Sequence, residues 1–150
     1  IAFNDIMRAV GEERMKRWIP IKDALDTGAL VTAGSDWSVV PSVNPWLAIE
    51  TMVTREMPGG SEETLGASQK ISLSDAVRIF TAQGAKLMGQ RDIVGSIEPG
   101  MSADIVVLNK NPFEIPITEV HTIHADKTFI AGEKVFDASS AESQAALKAK

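Results

Sequence analysis

The sequence has 150 residues, enough to bury a core without disulfides or structural metal, and its 44% hydrophobic and 23% charged content is that of a globular protein. A formal charge of −5 provides no basic field for nucleic acid or an anionic membrane, and no run approaches the roughly 18 apolar residues of a membrane span. The absence of cysteine excludes disulfides and thiolate metal sites.

The chain opens at Ile1, and nothing resembles a signal peptide. The expectation is a chain whose natural start lies upstream, with the compartment left open and the cytoplasm favoured. Residues 4–19 keep helical spacing, with Ile6, Met7 and Val10 on one face, and Gly11 breaks the run into two short helices. Pro20 suits the first turn of a helix through Leu25, with Gly28 just past its end. Ala29-Leu30-Val31-Thr32-Ala33-Gly34 is apolar on both faces, which predicts a strand covered on both sides, as in a parallel sheet or barrel. It ends on the polar Ser35-Asp36-Trp37-Ser38.

A loop over Val39 to Val43 leads to Asn44-Pro45, an N-cap and first-turn pair. The helix that follows should run to about Glu56, with Ala48, Ile49, Met52 and Val53 facing inward. Pro58 to Gln69 lacks periodicity and reads as a mobile loop, a candidate lid. Ser72 and Asp75 suit a capping box for a helix through Leu87, closed by Gly89, with Gly84 permitting a close backbone contact. Past Gly89 the texture turns to β: a strand at Gly95-Ser96-Ile97, a type II turn at Glu98-Pro99-Gly100, and a strand at residues 103–108. Residues 109–116 read as loop, residues 128–136 as a hairpin, and 137–150 as a frayed or disordered tail.

A lone buried parallel strand cannot satisfy its own backbone groups. Partners for residues 29–34 are therefore expected outside this chain or in another copy, which makes the chain a fragment of a larger fold.

Asp36 stands directly after this strand, where α/β folds place catalytic groups. A carboxylate there can face a divalent metal and take a proton from an attacking water, or it can simply cap a turn beside Ser35. The context of Asp36 is recognisable. Gly34-Ser35-Asp36-Trp37 after an apolar run resembles the last barrel strand of the amidohydrolase superfamily, and residues 72–85 resemble its leucine-acid-alanine…threonine helix. The segment from Gly95 to Leu108, with Gly95-Ser96-Ile97-Glu98-Pro99-Gly100 and Ala103-Asp104-Ile105-Val106-Val107-Leu108, resembles its entry into a small β-sandwich. Thr128 to Phe136 resembles the closing hairpin. Trp37, Asn44-Pro45 and Thr54-Arg55 are similar to the branch called amidohydrolase family 3, which includes N-substituted formamide deformylases. Ser38, where that branch usually has proline, and Met101, where it has a basic residue, depart from the pattern.

The resemblance implies an α/β fold: the C-terminal portion of a (β/α)8 TIM-type barrel over residues 1–90, β-sandwich strands over 91–136, and a tail over 137–150. It implies a parent that hydrolyses non-peptide C–N bonds with one or two divalent metals, zinc foremost, Asp36 being both the metal-facing carboxylate and the general base. The usual His-x-His pair and two later histidines lie upstream in such proteins. A catalytic zinc ordinarily takes about three protein ligands, so this chain alone should be inactive. His121 and His124 fall in the sandwich region and read as structural or surface residues. Trp37, Trp46 and Arg55 are the candidates for a substrate pocket. The implied partners are a small amide substrate, the upstream barrel half and, in a homo-oligomer, a second copy. The rival readings are a self-standing binding or scaffold module without chemistry, and one half of a split enzyme.

Overall fold

The computed structural model describes residues 3–40 and 42–148; Ile1, Ala2, Pro41, Ala149 and Lys150, which fall within the expected barrel portion, loop and tail, lie outside the described residues. The architecture is α/β, with several helices and one small antiparallel sheet. Helices α1 (Phe3–Val10) and α2 (Glu12–Met15) flank Gly11, whose φ of +79° supplies the break read from the sequence. Helix α3 spans Ile21–Asp26; Pro20 is its N-cap rather than part of its first turn, and the Gly28 N–H donates to Leu25 O at 2.9 Å.

Helix α4 (Pro45–Thr54) starts on Asn44, whose Oδ1 accepts the Trp46 N–H at 3.0 Å. It stops two residues earlier than expected because Arg55 turns left-handed at φ +59°. The following stretch is not loose throughout. A 3-10 turn at Ala67–Gln69 buries Gln69, whose Oε1 accepts the Asp23 N–H at 3.1 Å and fixes this loop to α3.

The expected helix over 72–88 is two helices, α5 (Leu73–Ile79) and α6 (Ala82–Leu87). Thr81 leaves helical dihedrals at φ −129°, ψ −98°. The cap of α5 is as expected, the Asp75 N–H donating to Ser72 Oγ at 3.0 Å, but the Asp75 carboxylate accepts from the Ser72 hydroxyl instead of its N–H.

Residues 95–97 form no strand, a second correction: the backbone bends at Gly95-Ser96, and Gly100, at φ +92°, supplies the turn that follows. The sheet is a meander of β1 (Ile105–Leu108), β2 (Ala125–Ile130) and β3 (Glu133–Asp137), with β2 central. Ala131 and Gly132 join β2 to β3 with φ of +50° and +83°, the paired positive values that match hairpin twist. A 3-10 turn at Ile117–Thr122 lies within the loop and lead-in that precede β2, and α7 (Ala141–Lys148) gives the tail a helix.

One core joins the two halves of the chain: Ile49 from α4, Ile71, Ala76 and Ile79 from α5 and its approach, and Val120 and Ile123 from the 3-10 turn and its exit.

Glycine geometry also corrects an expectation. An added Cβ at Gly84 meets nothing within 4 Å, whereas at Gly95, with φ +98°, it would lie 2.6 Å from the Ala85 Cβ. The close contact that the sequence suggested at Gly84 is made by Gly95 against α6. Gly84→Ala is therefore expected to stabilise by about 0.5–1 kcal/mol, from helix propensity alone. Gly95→Ala should destabilise by about 2 kcal/mol or more, from backbone strain plus overpacking. Thermal unfolding of the two variants should move in opposite directions; a shared sign would overturn this assignment.

Candidate functional site

Residues 29–36 belong to no helix or strand, and no strand pairs with them among the described residues. Val31 and Ala33 pack on the core, while Leu30 is 39% exposed, so only one face is covered, not two as the sequence predicted. Among the described residues, β1–β3 pair only with one another. The Val31 N–H instead donates to Gln83 Oε1 of α6 at 3.1 Å.

The segment delivers Asp36 at φ +53°, a left-handed conformation that Asp tolerates better than most residues. Its backbone carbonyl closes the turn by accepting the Val39 N–H at 2.7 Å. The capping duty falls to Ser35, whose Oγ accepts the Trp37 N–H at 3.2 Å. Among the described residues, nothing donates to the Asp36 carboxylate, and Asp36 is exposed. The turn is thus held without that carboxylate.

The three pocket candidates separate. Trp37 is 67% exposed beside Asp36, whereas Trp46 is half-buried against the core at the start of α4. Arg55 is 7% exposed: its Nε donates to Leu65 O at 2.9 Å and its Nη2 to Trp18 O. Burial pushes its guanidinium down from the ordinary value, although a guanidinium keeps its charge in proteins. Arg55 thus ties the end of α4 to residues 18 and 65, and among the described residues no hydrogen bond joins it to Asp36, Trp37 or Trp46.

The sequence reading missed Glu50. This α4 carboxylate is 0% exposed and accepts three hydrogen bonds: from the Gly59 N–H at 2.6 Å, the His121 N–H at 2.7 Å and His121 Nδ1 at 2.8 Å. The Asn44 amide adds a bond to His121 O at 3.3 Å. His121 therefore holds α4 at its cap and at its middle, and through Glu50 the Pro58–Gly60 turn is held to the same point. One signal was available in the sequence: Glu50 lies four residues after Trp46 and three before Val53, both of which pack inward. His124 is a surface residue, its Nε2 3.8 Å from Asp126.

The residues present do not make a metal centre. Among the described residues, no three of His, Cys, Asp and Glu are grouped to hold an ion, and the His121 ring nitrogen nearest a carboxylate is committed to Glu50. No helix among the described residues is long and apolar enough to cross a membrane.

Residues 1–136 match the family model described as amidohydrolase family. The chain is 30% identical over 138 residues to YtcJ of Bacillus subtilis (strain 168), a protein named as an amidohydrolase, covering 89% of this chain and 25% of that one. It is 27% identical over 128 residues to N-substituted formamide deformylase of Arthrobacter pascens, covering 85% of this chain and 23% of that one. A solved amidohydrolase from Thermotoga maritima MSB8 superposes with a TM-score of 0.59 at 26% identity, over 82% of this chain and 26% of that one. An α/β chain that ends an apolar segment on an uncommitted aspartate, and matches this family over residues 1–136, belongs to the amidohydrolase family. The chain spans about a quarter of the length of the curated relatives it matches.

Proposed function

We propose that the complete protein is a metal-dependent hydrolase of non-peptide C–N bonds, amides foremost, in which Asp36 is the carboxylate that faces the metal and takes a proton from the attacking water. The observation that carries this reading is the Asp36 carboxylate, left free at the end of residues 29–36 while Ser35 and the Asp36 carbonyl hold the turn. Free of structural bonds, the carboxylate keeps its lone pairs for a proton or a cation. Trp37 stands beside it as a candidate pocket wall. A divalent metal, zinc in first place, would polarise the scissile carbonyl when bound. Its remaining ligands would come from polypeptide outside this chain.

The same polypeptide would supply the partner strands that residues 29–34 lack, making them the last strand of a barrel. On this reading residues 1–90 belong to the barrel and 91–136 to a small sandwich. Support comes from the open face at Leu30, the unpaired backbone, and the quarter-length coverage of the relatives.

Two measurements test this reading. Residues 1–150 alone should retain no stoichiometric zinc after dialysis against a weak chelator, since about three protein ligands are needed, and should show no amidase activity. The full-length protein should hydrolyse N-substituted amides, lose activity to a strong chelator and regain it with zinc. Tight zinc at Asp36 in the isolated chain, or full-length turnover indifferent to chelation, would overturn it.

A further inference from the structure

A cleft of about 660 Å³ opens between the α5–α6 pair and the turn over residues 91–101. Three cations line it: Arg78 from the last turn of α5, Lys86 from the last turn of α6, and Arg91 from the turn beyond. Among the described residues, none of the three comes within 4.0 Å of a carboxylate, although Asp92 and Glu98 line the same cleft. In a chain of net charge −5, this cleft sets three cations against two carboxylates, a local balance of +1, with none of the three cations held in an ion pair among the described residues. Neighbouring like charges raise one another's free energy, and an anion seated among them relieves that repulsion. Two guanidinium forks and one ammonium match a multiply charged tetrahedral oxyanion better than a single carboxylate, because each fork can engage two oxygens.

We infer that this cleft binds the phosphoryl group of a small phosphorylated molecule, at a site separate from Asp36. Arg78 and Arg91 grip its oxygens, and Lys86 supplies the third positive charge. The ligand's remaining part meets Ala82, Val94 and Met101, the apolar part of the wall.

The test uses inorganic phosphate and the full-length protein. Phenylglyoxal modification of individual arginines is followed by peptide mass spectrometry, in phosphate and in sodium chloride of equal ionic strength. Phosphate should slow modification of Arg78 and Arg91 by about ten-fold, as charge-assisted bidentate binding implies, and leave exposed Arg14 unchanged. Lys86→Gln, an exposed change, should raise the phosphate concentration needed for protection by about ten-fold. Equal slowing at Arg14, equal protection by chloride, no effect of Lys86→Gln, or arginines unreactive even without phosphate would each overturn the inference, the last by showing the cleft covered in the whole protein. None of these readouts depends on amide hydrolysis, so the cleft and the Asp36 reading stand or fall separately.

Discussion

Asp36→Asn in the full-length protein is expected to lower kcat by about 10²–10⁴-fold, the range for loss of a general base, while the thermal transition stays within about 1 kcal/mol of the parent, as for surface changes away from structural features. The split follows from the local geometry. The bonds that hold the turn run from Trp37 N–H to Ser35 Oγ and from Val39 N–H to Asp36 O, and an amide at position 36 leaves both intact. Asn also tolerates the left-handed φ of +53° as well as Asp does. What it removes is proton affinity and negative charge. A variant with near-parental kcat and unchanged metal content would show that Asp36 takes no part in the chemistry. A variant that unfolds would show that the carboxylate has structural work in the complete protein. Ser35→Ala is the complementary change: it removes the cap on Trp37 and should reduce activity less than Asp36→Asn, by loosening the turn.

Much of the fold was legible because local chemistry dictated it. Asn44 and Ser72 cap helices for the reason any short polar side chain does, by accepting an orphan N–H of the first turn. Gly11 breaks a helix, and Ala131-Gly132 closes a hairpin, because each needs only its own dihedrals. The break at Phe80–Thr81 was hidden because the apolar spacing continues through it. Gly84 and Gly95 were confused for a related reason: sequence shows where a small residue lies, but not which element comes up against it. Residues 29–34 read as a strand but pair with none among the described residues, because their second face and their hydrogen-bond partners depend on residues that their own pattern cannot name.

The candidate site divides in the same way. Asp36 could be singled out as a candidate because a carboxylate at the end of an apolar run is a pattern contained within a few residues. Arg55 read as a pocket candidate, because the carbonyls that hold it come from Trp18 and Leu65. Glu50 went unread, because its partners lie at Gly59 and His121, the latter 71 positions away. A buried charge is legible only together with its counterpart, and nothing local marks His121 as that counterpart.

Glu50→Ala should be among the most destabilising single changes in this chain, costing about 3–5 kcal/mol, because it removes a fully buried side chain that accepts three hydrogen bonds. The carboxylate is 0% exposed, and its loss strands three donors: the Gly59 N–H, the His121 N–H and His121 Nδ1. Gly59 is exposed and His121 half-buried, so water replaces part of each lost bond, at a net cost of about 0.5–1.5 kcal/mol apiece, and the space emptied under α4 adds a cavity cost. At about 2–4 °C per kcal/mol for a domain of this size, thermal unfolding should fall by roughly 10–15 °C. Glu50→Gln separates shape from charge. The amide fills the same space and still accepts from Gly59 through its oxygen, but its nitrogen cannot accept from the His121 N–H, so an intermediate loss of about 1–3 kcal/mol is expected. His121→Ala keeps the Glu50 bonds to both backbone N–H groups and removes only the ring, so it too should fall between the parent and Glu50→Ala. Hydrogen exchange supplies the local readout, since the Gly59 and His121 amides should lose protection together in Glu50→Ala. If Glu50→Ala unfolds within 1 kcal/mol of the parent, or if the two amides respond independently, Glu50 does not join α4 to both segments.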